Sequence, residues 1–174
     1  EELHIAGISG VGLCATYDVV ITSGRIYDGS AGASYVGDVA IKDDRIEAIG
    51  KVEPDADLVI DARGLAVAPG FINMLSWATE SLIEDGRSQS DIRQGVTLEV
   101  MGEGSSMGPL NEAMKLEMAQ SQGDIKFSVE WNTLGEYLDY LAKKGVSTNV
   151  ASFVGASTVR VHAIGYEDRK PTSQ

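Results

Sequence analysis

Apolar and polar residues alternate through the first part of the chain, and the alternation predicts strands. "YDVVITSGRIYDG", from Tyr17, holds a β-branched run, then Ser23-Gly24 as a turn, then a second short run. "VGDVAIKDDRIEAIG" repeats the plan. Val39 and Ile41 alternate with polar neighbours, "KDDR" reverses the chain, and Ile46, Ala48 and Ile49 resume. "DLVIDARGLAVAPG" is a third unit, with Arg63-Gly64 at its turn. Three hairpin-like units at short spacing predict a small β-sandwich over residues 17–68.

After Pro69 the period changes. "GFINMLSWA" reads as a short apolar strand, and "ESLIEDGRSQSDIRQG" as partly helical, ending near Gly95. "VTLEVMG" is a second strand. Leu110, Ala113, Met114 and Glu117 then recur at helical spacing. "TLGEYLDYLAKKG" predicts a helix with Thr133 as N-cap, Glu136 three residues on and Gly145 as its stop. Leu134, Tyr137, Leu138 and Leu141 form its apolar face. "STNVASFVGAST" is a third strand running into a Gly-containing loop. Strands at 70–77, 96–102 and 148–154, separated by helices, predict a parallel α/β unit. The expected organisation is an N-terminal arm over 1–16, the sandwich over 17–68 and the α/β part over 69–174.

Composition narrows the function classes. Hydrophobic residues make up 43% of the 174, which predicts a packed core. With 26 acidic against 14 basic residues the formal net charge is −12, and a nucleic acid or anionic membrane would need a basic face instead. A single cysteine, Cys14, excludes an internal disulfide and a cysteine-built zinc site. "GISGVG" lacks the Lys-Ser/Thr of a phosphate loop. A secretory leader starts basic and continues into an apolar block, unlike "EELHIAGISGVGLCAT". A cytoplasmic location is therefore expected, with a secreted precursor left open.

"YDVVITSGRIYDGSAG", "VGDVAIKDDRIEAIG" and "DARGLAVAPGFIN" together resemble the amidohydrolase superfamily. "RQGVTLEVMGEGSSMGPL" and "NVASFVGASTVR" are most similar to its N-acyl-D-amino-acid deacylase branch. The resemblance covers roughly residues 17–165. It implies a composite architecture, in which a small sandwich precedes a (β/α)8 barrel. It also implies a metal-dependent hydrolase of carbon–nitrogen bonds outside peptides, with zinc as the expected divalent ion and a small amide as substrate.

The family opens its barrel with Asp-x-His-x-His, and those positions here read Asn73, Met74, Leu75, Ser76, Trp77. On a continuous strand, 73, 75 and 77 share one face, which the resemblance places at the barrel mouth. Leucine has no lone pair and indole only donates, so the first metal position is absent. Asn73 and Trp77 become candidates to face substrate. The branch's metal-binding cysteine falls at Gly104, and Glu103 beside it could supply an oxygen ligand or be a solvated loop carboxylate. The branch's histidine after the third strand falls at Ala156. No catalytic residue is assigned within this chain.

Other conspicuous residues have plainer readings. Trp77 stacks on a ligand or simply fills space. Ser76 lacks a base beside it in the sequence and a nucleophile elbow around it, which favours a structural role. Met101, Met107, Met114 and Met118 read as packing residues. His162 and His4 lack partner motifs.

A (β/α)8 barrel takes about 250 residues, and only about 100 follow the sandwich here. Three parallel strands leave an open edge and exposed apolar surface. The chain is therefore expected to be the first three βα units of a barrel. Its partner would be the remainder of the same polypeptide or a second copy. The piece alone is expected to be inactive. A non-catalytic homologue with a binding or scaffold role is the alternative.

Overall fold

The computed structural model describes residues 15–172. His4, Cys14 and the "GISGVG" segment lie outside the described residues, as does nearly all of the expected arm. The chain divides into two compact units, 1–69 and 70–174.

The first unit is a five-stranded mixed sheet. Its strands are β1 (Tyr17–Ile26), β2 (Tyr35–Lys42), β3 (Arg45–Gly50), β4 (Ala56–Asp61) and β5 (Ala66–Val67). The order is β3-β2-β1-β4, with β5 continuing along β1. Only the middle repeat is a true hairpin: β2 and β3 run antiparallel, with Lys42 opposite Arg45. Asp18 fastens its turn, accepting from the Asp43 amide at 2.5 Å and from Lys42 Nζ at 3.1 Å.

Two expectations are corrected here. Ser23-Gly24 is a bulge within β1, not a turn. Ser23 takes a φ of 57°, and its amide donates to Asp38 at 2.8 Å, so the strand kinks and continues. The third repeat is not a hairpin either, because β4 and β5 both lie parallel to β1 along successive stretches of it. The result is one sheet among the described residues of this unit, not the two packed sheets of a sandwich. The apolar face that a sandwich would bury does exist. Register puts Val19, Ile21, Val39, Ile41, Leu58 and Ile60 on one side, and Leu58 and Ile60 remain exposed.

The second unit is built on three parallel strands in the order β6-β7-β8. They are β6 (Phe71–Asn73), β7 (Val96–Met101) and β8 (Asn149–Ser152). Two single-turn helices, α1 (Ser81–Glu84) and α2 (Gln89–Ile92), join the first pair. α3 (Glu112–Ser121) and α4 (Leu134–Lys144) join the second. Asn111 caps α3 through the Met114 amide. α4 carries the expected capping box between Thr133 and Glu136.

The core of this unit lies beneath α4. Leu82, Ile83, Met101, Leu110, Tyr137 and Leu141 pack around Trp131, whose indole nitrogen donates to the Met107 carbonyl at 2.7 Å. Tyr137 and Tyr140 tilt against the same indole, with centroids at 5.1 and 5.2 Å.

α5 (Ala156–Ile164) follows β8 and was not legible in the sequence. Its β-branched residues, Thr158, Val159 and Val161, favour a strand by propensity. Packing overrides this: Thr158 is buried and accepts from the Ser106 amide at 2.8 Å. No helix among the described residues is long and apolar enough to cross a membrane.

Candidate functional site

β6 ends at Asn73, and this changes the geometry expected at the barrel mouth. The Asn73 side chain accepts from the Leu75 amide at 3.2 Å and turns the chain out of the strand. Alternation therefore stops, and 73, 75 and 77 do not share one strand face, a further correction to the sequence reading. Leu75, Ser76 and Trp77 line a cleft, with Ser76 buried and its amide on the Val100 carbonyl while Leu75 and Trp77 are exposed.

That cleft has a volume of about 490 Å³ and opens beyond the carboxyl ends of all three strands. The segment after β6 supplies Leu75 to Trp77, and the loop after β7 supplies Gly102, Glu103 and Ser105 to Met107. α5, after β8, supplies Ser157, Thr158 and Val161, while Met114, Glu117 and Met118 of α3 close the far side. Asn73 is outside this lining; its amide nitrogen lies 3.5 Å from Glu99. Trp77 is 73% exposed and presents its ring at the cleft. His162 is exposed at the last turn of α5, away from the lining.

Two glycines set how closely the loops approach. Gly102 has a φ of +87°, and a Cβ there would overlap the Phe153 carbonyl. A Cβ on Gly155 would stand 2.5 Å from Ser105 Cα and 2.6 Å from the Ser106 amide nitrogen. The loop after β7 thus rests on the start of α5, and Ser157 ties the two together by donating to the Gly104 carbonyl at 2.5 Å.

A pair missed in the sequence lies under the cleft. Glu99 on β7 is fully buried, and its carboxyl accepts from the Ser76 hydroxyl. Ser88 Oγ stands 3.4 Å from the other carboxyl oxygen. Ser76 is therefore held beside a carboxyl group that sequence spacing could not reveal, because 23 residues separate the two. Alternation along "VTLEV" put Glu99 on a strand, but only the fold shows that it points inward.

Charge at the cleft is one-sided. Glu80, Glu103 and Glu117 line it, and among the described residues that do so none is Lys, Arg or His. Tyr166 donates to both Glu117 oxygens at 2.9 and 3.0 Å, and this bond raises the Tyr166 phenol's pKa. Beneath, burial and then the nearby Glu80 charge raise that of Tyr137, whose hydroxyl donates to the Thr79 carbonyl at 2.8 Å.

Among the described residues no group of three or more His, Cys, Asp or Glu side chains could hold a metal ion. Leu75, Trp77, Gly104 and Ala156 offer no ligand where the family resemblance implies one. Gly104 has a φ of +75°, a conformation that a cysteine there would rarely adopt. The described residues thus do not by themselves complete a metal site.

Parallel strands with a cleft at their carboxyl ends, preceded in the chain by a mixed sheet, place this chain among amidohydrolase folds. Its homologues and structural neighbours are D-aminoacylase and N-acyl-D-amino-acid deacylases, matched over about 90% of the chain. The D-aminoacylase of Alcaligenes xylosoxydans xylosoxydans is 31% identical over 163 residues, covering 91% of this chain and 33% of that protein. A solved D-aminoacylase, studied for its binuclear metal center, superposes with a TM-score of 0.76 at 30% identity. It matches 90% of this chain and 33% of its own. The N-acyl-D-glutamate deacylase of Bordetella bronchiseptica, solved with zinc and a phosphonate inhibitor, gives a TM-score of 0.75 at 28% identity over the same shares. The chain thus spans about a third of the length of the curated relatives it matches. No protein-family model matches it.

Proposed function

We propose that the whole protein is a metal-dependent amidohydrolase that cleaves the carbon–nitrogen bond of a small N-acyl amino acid. In this reading residues 69–174 are the first three βα units of a (β/α)8 barrel, and residues 17–68 belong to the small β domain that precedes it in the chain. The observation that carries the proposal is the match to D-aminoacylase over nine-tenths of the chain. The cleft supports it, because barrel enzymes place their sites at the carboxyl ends of the strands. The similarity to N-acyl-D-aspartate and N-acyl-D-glutamate deacylases, each 31% identical, supports the reaction class without selecting a side chain.

The divalent ion, with zinc as the expected metal, is held in this reading by residues other than those at positions 75, 77, 104 and 156. Glu103 is the one ligand we assign within this chain, through a carboxylate oxygen. A bound ion would polarise the amide carbonyl and activate water. The residues described here shape the cleft: Leu75 and Trp77 give it an apolar wall, and the Ser76–Glu99 pair fixes that wall to β7. Residues 1–174 by themselves are inactive in this reading.

One observation favours a second reading. Apolar side chains at 75 and 77 suit a barrel that binds a ligand without hydrolysing it, since fold alone does not fix function. Metal analysis of the purified full-length polypeptide, with amine release from N-acyl-D- and N-acyl-L-amino acids, separates the two. Near-stoichiometric divalent metal and amine release are expected. Trace metal only, and no release with added zinc, would replace the hydrolase by the binding protein.

A further inference from the structure

Glu103 sits on a loop whose backbone is fixed on both sides of it. Before it, Gly102 lies so close to Phe153 that a Cβ would stand 2.1 Å from that carbonyl oxygen. After it, the Gly104 carbonyl accepts twice from one residue of α5: from the Ser157 amide at 3.0 Å and from the Ser157 hydroxyl at 2.5 Å. The Ser105 amide closes a tight turn onto the Glu103 carbonyl at 2.9 Å, with Gly104 at its centre. The Glu103 side chain is exposed at the cleft.

Next along the loop, Ser106 is buried and bonded to the buried Thr158 of α5. Thr158 Oγ1 accepts from the Ser106 amide at 2.8 Å and donates to the Ser106 carbonyl at 3.3 Å. Ser106 Oγ accepts from the Gly155 amide at 2.9 Å and donates to the Gly108 carbonyl at 2.6 Å. Each hydroxyl proton is used once, so the bonds can all form together. The same bonds cap α5. Its N-cap residue, Gly155, has no side chain to do so, and the Gly155 and Ser157 amides donate to the loop after β7 instead. Loop and helix complete each other, although 49 to 53 residues separate the bonded pairs.

We propose that Ser106, Ser157 and Thr158 are positioning residues: by locking the loop after β7 onto α5, they hold the Glu103 carboxylate at one place in the cleft. A carboxylate on a loose loop must be ordered each time it engages a ligand. One carried on a fixed backbone has lost most of that freedom already, which leaves more of the contact as affinity. The inference rests on the reading of Glu103 as a metal ligand only for what the carboxylate is positioned to do. The lock itself rests on the hydrogen bonds.

The test uses three variants of the full-length polypeptide. Thr158→Val keeps the shape and removes the hydroxyl, Thr158→Ser keeps the hydroxyl, and Ser157→Ala changes an exposed position. Amide exchange read by mass spectrometry follows the loop. Peptides over 102–106 should exchange about three- to tenfold faster in Thr158→Val and in Ser157→Ala, the span for one or two lost hydrogen bonds. Thr158→Ser should restore slow exchange. Zinc alone, titrated by calorimetry, follows the carboxylate. Thr158→Val should weaken zinc about tenfold, as the loss of a ligand-orienting partner does. In a Glu103→Gln background the same change should matter less than about twofold, because the carboxylate it positions is gone. Unchanged loop exchange in both Thr158→Val and Ser157→Ala would overturn the proposal. So would zinc affinity that Thr158→Val leaves alone, or lowers equally in both backgrounds, where Glu103→Gln itself weakens zinc. Should Thr158→Val fail to fold, Ser157→Ala carries both measurements. Glu103→Gln without effect on zinc removes the ligand reading alone, and the exchange data then decide the lock.

Discussion

Replacing Ser76 with alanine tests whether Glu99 depends on its one close partner. Glu99 is fully buried, and its other donors, Ser88 Oγ and Asn73 Nδ2, stand at 3.4 and 3.5 Å, the outer edge of hydrogen bonding. Ser76→Ala removes the short bond and leaves a buried acceptor nearly unsatisfied, a loss of about 1–3 kcal/mol. It also removes the acceptor of the Ala78 amide, 3.2 Å away, at about 0.5–1.5 kcal/mol if water does not replace it. The sum predicts about 1.5–4.5 kcal/mol.

Glu99→Met separates the pair from simple packing, because methionine fills similar space without a carboxyl group. If the hydroxyl and carboxyl act together, the double variant costs less than the two singles added, by about 1 kcal/mol or more. Urea unfolding of the whole chain measures each value. Trp131 fluorescence reports the second unit when Trp77→Phe serves as the background. A Ser76→Ala change within about 0.5 kcal/mol of its parent, or strictly additive costs, would mean that Glu99 is solvated or relaxed and that the pair does not fix the cleft wall.

Two further predictions address each unit in turn. Asp38 accepts from the Ser23 and Val52 amides, and these bonds, the Ser23 amide first, hold its pKa below the usual 3.8. Asp38→Ala should cost about 1.5–3 kcal/mol near neutral pH. Because the folded-state pKa is lowered, this stability is present above the unfolded value and is lost as pH falls through the folded one. The gap between variant and parent should therefore narrow in acid denaturation as pH falls below 3.8 towards the lower folded-state value, and a gap independent of pH refutes the assignment. In the second unit Gly155→Ala drives a methyl group into the Ser105 backbone, so the loop after β7 must move from α5, at about 1–3 kcal/mol. Unfolding by the same fluorescence measures it; an unchanged midpoint would show that the loop is free to shift.

The sequence carried the elements whose signals are local. The α4 capping box and the β2–β3 hairpin follow from residues three or four apart, and both stand as read. It misled where a local signal had two meanings. Ser23-Gly24 looks like a turn, but the bulge depends on Asp38, fifteen residues away in the neighbouring strand. "FINMLSWA" looks like one strand, but the Asn73 side chain ends it by capturing the Leu75 amide. The Glu99 pair and α5 were illegible for the same reason: burial across the sheet, not propensity, decides both.

These errors matter most at positions 75 and 77. Alternation along an unbroken strand would have put Asn73 on the same side as both. After the turn at Asn73, Asn73 and Ser76 both reach the buried Glu99, while Leu75 and Trp77 stand 52% and 73% exposed at the cleft. A leucine and a tryptophan make this surface apolar where the resemblance implies histidines. The positions at which the resemblance implies nitrogen ligands thus line a cleft whose charged residues, among those described, are all acidic. Missing metal ligands and an apolar cleft are then one feature, since the same two side chains produce both. This is why the decisive measurement on this part of the protein is what the cleft binds, taken separately from what the whole protein cleaves.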